Sequence, residues 1–441
     1  MEKENRHVSL YSAIAIVVAN IIGVGVFTSL GFQVLDIKDP TALMMLWLIG
    51  GVVALCGALV YGEIGTVFPR SGGEYNYLSN LYSPFVGFLS GWISSTVAFA
   101  APVAVAAMAF GAYLGKVINV DPKILAISLI FLITAIHATS LKAGFGFQNV
   151  FSTLKVLLIL AFIGFGLAYR EHQDITLNFT DATWDQMKGK AFAIGLVYVG
   201  YAYSGWNASA YLAGEIKNVK RNLPLSSFIG TALVILLYLL LTYVFIYTVP
   251  IQDLADAQAK DFSKPIEVGY FSAEHIFGHG GANIMAIIIS LLLVSTCSAM
   301  ILAGPRVMKA MGDDIKLLKF LSFSSAKGTP YMAIIVQSII SAILIFTASF
   351  DQILVYVGFT LQLSTFFTVL GIFIIRFRKL NEGLSSYKTF LYPITPIIFL
   401  AVNAWVIYFV ASGKPTESMY GVATLGIGAV VYFINKMRNK A

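Results

Sequence analysis

Charge is what this sequence has least of. Only 12% of its 441 residues are Asp, Glu, Lys or Arg, while 58% are hydrophobic, and the mean hydropathy is +0.81. A soluble chain of this length carries about twice that share of charge. A soluble fold is therefore excluded, and no polar stretch exceeds about 30 residues, so no large extramembrane domain is expected. Cysteine is scarce as well. Cys56 and Cys297 both fall inside apolar runs, which rules out a disulfide framework and reads as small packing residues. A membrane-embedded enzyme would need clusters of His, Asp or Glu within the apolar runs, and a channel would need rings of polar residues or a re-entrant filter; neither pattern is visible. The "GHGG" at Gly278–Gly281 lies in an outer turn and lacks metal-ligand spacing. Asp313 and Asp314 are neighbours in a loop and are not opposed across a site. No metal, no cofactor and no enzymatic chemistry are expected. The basic "KNVKRN" at Lys217–Asn222 has no interleaved aromatics, which argues against nucleic acid.

What is present is apolar length. A bilayer core takes roughly 20 apolar residues per helix, and about twelve such runs occur: 9–35, 41–67, 76–115, 123–139, 147–169, 191–214, 225–249, 282–308, 331–348, 352–375, 391–411 and 419–435. The fold class read from them is an all-α integral membrane protein of about 12 transmembrane helices. The third run is long enough for a tilted helix plus an interfacial turn. No small-residue cleavage site follows the first run, so it is read as a retained span. An even number places both termini on one side, where Lys and Arg outnumber those on the other by about two to one. The termini are therefore expected in the cytoplasm, with the chain multi-pass in the cell inner membrane. The long outer segment 250–281 is acidic instead, with Asp253, Asp256, Asp261, Glu267 and Glu274. The net charge of +7 thus follows topology.

Two of the runs are interrupted. Span 1 contains "ANIIGVGVFTSLGF" (Ala19–Phe32), and span 6 contains "VGYAYSGWNASAYLAG" (Val199–Gly214). Broken helices at matching places in two halves of a transporter mark a midplane binding site. Spans 1–5 (1–170) and 6–10 (190–376) then form an inverted 5+5 pair, with spans 11 and 12 (391–437) outside it. Unwound backbone is tolerated at membrane depth only where it is buried or lines a cavity. Freed N–H groups at a half-helix start hold a carboxylate, freed carbonyls hold an ammonium, and both together suit an α-amino acid. Gly23 and Gly25 permit the turn and a close ligand approach. The plainer alternative is a glycine-rich helix-packing face.

"NIIGVGVF" (Asn20–Phe27), "FPRSGGEYNYL" (Phe68–Leu78), "YSGWNASAYLAGEIKNVKRNLP" (Tyr203–Pro224) and "ILAGPRVMKAMGDD" (Ile301–Asp314) resemble the amino acid–polyamine–organocation permeases, and within them bacterial relatives of the L-type amino acid transporters. The resemblance implies the inverted-repeat core, alternating access, and a substrate held by main chain of spans 1 and 6. Carried over, the contacts are Ile21, Ile22, Gly23, Val24 and Gly25 in span 1. In span 6, Tyr201 is implied as an aromatic gate, Ala202, Tyr203, Ser204 and Gly205 as the unwound part, and Asn207 as a polar residue shaping the pocket. Many relatives have Ser where this chain has Val24, so carboxylate binding rests more on backbone amides here. Read from its chemistry alone, Tyr201 is equally an interfacial or packing tyrosine. The animal relatives are linked through an outer-loop cysteine to a glycoprotein subunit. No cysteine stands between spans 3 and 4 here, so no such heavy-chain partner is expected.

Lys155 lies within span 5, eight residues past Phe147. A lysine at a helix centre costs on the order of 2.5–3.5 kcal/mol to insert, and such residues usually face the bundle interior. Snorkelling is the alternative, at a reach of about two helical turns. The resemblance places the ammonium where sodium-coupled relatives bind a cation between spans 1 and 8, donating to carbonyls near Ile22 and to Ser295 or Thr296. Transport would then be sodium-independent. The function read from all this is exchange of neutral amino acids, because the spans offer little Asp or Glu at depth; a proton-coupled symporter and a polyamine or cationic amino acid permease are the alternatives. Glu63, Arg70, Glu74 and Arg306 form either a cytoplasmic gate or loop anchors, and His137 is read as a packing histidine.

Overall fold

In lipid every backbone polar group needs an internal partner, and these apolar runs satisfy theirs as helix. The computed structural model describes residues 6–139, 141–259, 268–326, 328–347, 350–382, 387–413 and 415–438; Asp261 and Glu267 of the acidic segment lie outside them. Helices are α1 (Leu10–Ile21), α2 (Gly25–Asp36), α3 (Pro40–Val67), α4 (Glu74–Leu81), α5 (Pro84–Ile93), α6 (Ala100–Ile118), α7 (Pro122–Thr139), α8 (Leu141–Leu167) and α9 (Asp181–Lys188). They continue with α10 (Lys190–Ala202), α11 (Val219–Thr248), α12 (Ile251–Ala259), α13 (Val268–Asp314), α14 (Tyr331–Thr347), α15 (Phe350–Phe377), α16 (Ile394–Gly413) and α17 (Pro415–Arg438).

Among the described residues ten stretches are long and apolar enough to cross a bilayer, counting α1 with α2 and α5 with α6 as one each. The shorter apolar helices α10 and α14 stand where spans 6 and 9 were expected. The all-α, twelve-span membrane fold is therefore the right class.

Two boundaries differ from the sequence reading. The expected third span, 76–115, is really α4 followed by α5 and α6, with Pro84 in the first turn of α5 and a π-helical turn at Ser94–Ala98 between α5 and α6. Polar α4 was merged into the span because its four apolar or aromatic residues adjoin the next run. The expected turn at "GHGG" is a kink at Gly278 alone (φ 69°, ψ −174°), with helix on both sides.

The discontinuous first span is the most enclosed, with 89% of its apolar window buried, whereas α17 has 17%. The interrupted element is thus the centre of the bundle, packed against α11, α8 and α13, while α16 lies outside against α15 and α3 and α17 against α15 and α5. The segment before α1 is tied down by the bridge between Val8 and Ile216, with Val8 N–H donating to Glu215 O and Lys217 N–H to Val8 O, both at 2.9 Å.

Glu63 of α3 is fully buried and accepts from Arg376 of α15 at 2.9 Å, Asn381 at 3.0 Å and the Thr389 N–H at 2.7 Å. It locks α3 to both ends of the α15–α16 connection. Removing one partner of a buried pair strands the other. Glu63→Ala is expected to cost roughly 2–3 kcal/mol, less than the full range for a buried pair because Arg376 is 24% exposed. The check is the thermal midpoint in detergent, where Glu63→Ala should fall well below Lys379→Ala, which removes only the exposed pair with Glu382.

Candidate functional site

The α-helical ladder stops at Ile22, whose extended ψ of 94° turns the chain out, and resumes at Gly25 with no side chain capping α2. The second break follows Ala202: residues 203–207 form turns and Ala208–Glu215 a 3-10 helix. The two breaks touch. A Cβ on Gly25 would stand 2.8 Å from Ala202 Cα, and one on Gly205, at φ +101°, would stand 2.8 Å from the Asn20 carbonyl group. Glycine is required at both places for close approach and, at Gly205, for the left-handed backbone as well.

Ile21, Gly23, Val24, Gly25, Tyr201, Ala202, Ser204 and Thr296 line one cavity, with Pro102 and Ala106 of α6 and Met300 of α13. Its space of about 20 Å³ holds little more than one water, so a ligand of amino acid size enters only as the walls move. Tyr201 rests on Gly25, its ring 3.4 Å from a Cβ there, and with Ser204 it separates this cavity from a second one. The second cavity, of about 70 Å³, lies against α3, α15 and α16 and is lined by Tyr203, Gly205, Asn207, Gln362, Thr365 and Asn403 among others. The sequence-derived candidates therefore divide between two spaces.

Lys155 of α8 is fully buried, and its ammonium donates to Ile22 O at 2.6 Å, Thr296 Oγ1 at 2.8 Å and Ala19 O at 3.3 Å. Three donors meet three acceptors, two of them carbonyls at the negative end of α1. Thr296 donates in turn to Ile22 O at 2.8 Å. Ser295 does not reach the lysine; its hydroxyl faces Gln148 Nε2 at 3.4 Å. Successive residues point to different sides of a helix, which is why only one of the two hydroxyls can serve.

Other candidates turn away from the cavity. The Tyr203 hydroxyl donates to Trp47 O at 3.1 Å. The Asn207 amide donates to Glu74 Oε1 at 2.5 Å and to the Tyr211 hydroxyl at 3.1 Å. One participant was missed in the sequence: the buried hydroxyl of Tyr238, on α11, lies 2.8 Å from Ile21 O and 3.1 Å from Ala202 O, touching the end of both broken helices. A tyrosine within an all-aliphatic run, "VILLYLLL", was the available signal.

The charges once grouped as a gate pair differently. Arg306, 5% exposed, binds Glu215 at 2.9 Å and also donates to Leu302 O, and His7 stands 3.4 Å from Glu215. Burial alone would raise the Glu215 carboxyl; Arg306, by charge and hydrogen bonding, outweighs it and holds the group below the usual carboxylate range. Arg70 grips Asp314 with both nitrogens at 2.8 and 2.9 Å, and Asp313 takes Lys309 at 2.8 Å. Glu63 belongs to the α15 clamp. His137 is buried with Nε2 2.8 Å from the Ser298 hydroxyl.

Two touching helix breaks, an uncharged cavity between them and a buried ammonium on the first break are the geometry of a carrier. Residues 8–431 match the amino acid permease family. The chain belongs to that family. It is 28% identical to the b(0,+)-type amino acid transporter 1 of Mus musculus, over 97% of this chain and 88% of that one. It is 27% identical to the serine/threonine exchanger SteT of Bacillus subtilis, over 91% and 90%. It is 25% identical to the large neutral amino acids transporter small subunit 2 of Homo sapiens, over 97% and 80%. The permease is thus a multi-pass membrane protein of an amino acid transporter family, and these relatives are named as transporters, not as enzymes.

Contact between the breaks makes one substitution decisive. Gly205→Ala, which strains the backbone by on the order of 1–3 kcal/mol, is expected to cut transport at least about tenfold with membrane insertion retained. Gly146→Ala, where a Cβ meets nothing within 4 Å, should transport like wild type. Uptake normalised to protein in the membrane is the measurement.

Proposed function

We propose that this permease moves neutral L-amino acids across the cell membrane by alternating access, as a sodium-independent exchanger. The observation that carries the reading is the contact of two unwound segments around an uncharged cavity. The N–H groups of Gly23, Val24 and Gly25, at the positive start of an uncapped helix, receive the α-carboxylate. The α-amine takes free lone pairs of the Ile21 and Ala202 carbonyls, which share the single Tyr238 hydroxyl proton between them. Among the described residues no Asp or Glu lines the cavity, which favours neutral substrates over dibasic ones or polyamines. Tyr201, lying on Gly25, serves as the gate.

Lys155 stands in for a coupling sodium ion, bridging α1 and α13 through Ile22 and Thr296. SteT, named an exchanger, supports the exchange mode. In this reading 1–170 and 190–376 are the inverted repeats, with 391–437 outside them, and the termini are cytoplasmic because the basic residues cluster with the N-terminal segment. Both cysteines are buried, in keeping with a chain that works without a disulfide-linked subunit.

Purified protein in liposomes provides the test. Labelled neutral amino acid should enter only against an internal amino acid, at the same rate when choline replaces sodium. Accumulation driven by a proton gradient without internal substrate would move the reading to symport, and unsaturable flux would sink the carrier altogether. Lys155→Ala, which leaves Ala19 O without its donor and Ile22 O with Thr296 alone, is expected to lower exchange at least about tenfold. Wild-type exchange by that variant would end the sodium-substitute role.

A further inference from the structure

Glu74 has no part in the site described so far, and its surroundings are peculiar. It opens α4, is 1% exposed, and among the described residues has no cationic partner. Oε1 accepts from the Tyr61 hydroxyl at 2.8 Å and from Asn207 Nδ2 at 2.5 Å, the Tyr211 hydroxyl is a further neutral donor beside the carboxyl, and Oε2 is buried with no well-aligned hydrogen bond of its own. The groups that face it are neutral tyrosines and amides: Tyr61 from α3, Tyr77 on its own helix, and Asn207 and Tyr211 from the segment after α10. The nearest charges on the same elements are already engaged. Glu63 of α3 binds Arg376 of α15, Arg70 before α4 binds Asp314 of α13, and Glu215 binds Arg306 of α13.

An ionised carboxylate buried without a counter-charge is costly, and the usual escape is to take up a proton. Among the described residues the other fully buried acid, Glu63, has a cation in Arg376; Glu74 is met only by neutral hydroxyl and amide donors. Its position gives the proton a consequence. Asn207, the residue that donates to Oε1, follows directly on the second helix break and also lines the larger cavity. Removing the proton leaves a buried charge whose relief is to draw water through that cavity or to push the 203–215 segment outward.

We propose that Glu74 is a proton-binding site, occupied in the closed conformation and vacated as the 203–215 segment opens. Proton and substrate then act on the same broken helix from opposite faces. The balance is one proton exchanged between the Glu74 carboxyl and water, with no other bond changed. The closed conformation is favoured below the midpoint of this titration and disfavoured as pH rises through it. The transport readout rests on the permease reading above; the spectroscopic one does not.

Difference infrared spectroscopy of the purified protein should show a protonated-carboxylic-acid stretch at neutral pH that is missing in Glu74→Gln and that fades in wild type as pH rises. Exchange by wild type should fall on the alkaline side, approaching roughly tenfold per pH unit beyond the midpoint, the slope of a single proton. Glu74→Gln, the fixed neutral form, should lose that alkaline limb. Tyr61→Phe, which removes a donor to Oε1, should move the limb to higher pH. An infrared spectrum unchanged by Glu74→Gln, or wild-type and Glu74→Gln exchange profiles that coincide, overturns the proposal. Absence of exchange at any pH with the infrared band present refutes the transport reading and leaves the proton site standing.

Discussion

Main chain at membrane depth must find partners inside the protein, and the rest of this structure is arranged around the place where a helix cannot supply them. When α1 stops at Ile22, the carbonyls of its last turn lose their helical donors. Lys155 and Thr296 take Ile22, Lys155 takes Ala19, and Tyr238 takes Ile21. These donors come from α8, α13 and α11, so three helices are pinned to the one break. The pinning is strong because an orphaned carbonyl at this depth costs more than the average hydrogen bond contributes. Lys155 is the largest contributor. It also carries the only charge among these donors, set against the negative end of α1.

The second break is held by different means. Its carbonyl at Ala202 shares the Tyr238 hydroxyl, but the following segment is fixed chiefly by packing and by side-chain amides, with Gly205 pressed on Asn20 and Asn207 drawn to Glu74. Its lower end is closed by Glu215 with Arg306 and by the Val8 bridge. These contacts are reversible without stranding bare carbonyls. The asymmetry points to the first break as the fixed half of the site and the second as the half that moves.

Length and composition were enough to read the membrane class and nearly every span, because a bilayer imposes a repeat of roughly 20 apolar residues that few other constraints can imitate. The breaks were legible from glycine pairs set five spans apart. Lys155 was legible because a charge within an apolar run has few places to go. Partner choice was much less so. Ser295 and Thr296 are adjacent in sequence, and only the rotation of α13 decides that threonine meets the ammonium. Glu63, Arg70, Glu74 and Arg306 were a cluster by sequence proximity and topology, yet each finds a different neighbour, since their partners Arg376, Asp314, Asn207 and Glu215 are far along the chain. The polar helix α4 was hidden inside an apolar run because Tyr75, Tyr77 and Leu78 make its buried face.

Lys155 and Glu74 are both deeply buried ionisable groups, and their shells differ in a way that assigns them different duties. The lysine has three protons and three oxygens to receive them, and its departure would leave Ala19 O bare and Ile22 O with Thr296 alone; its shell rewards staying put. The glutamate has one oxygen doubly served and the other poorly so, in a wall of tyrosines with no cation among the described residues, so its shell rewards a change of state over a fixed one. A carrier that alternates needs one group that keeps the interrupted helix in place through the whole cycle and another whose preference shifts as its surroundings open. The two breaks supply these separately. In the proposed cycle the first break is stapled by a charge with its three bonds made, and the second rests on a carboxyl met only by neutral donors.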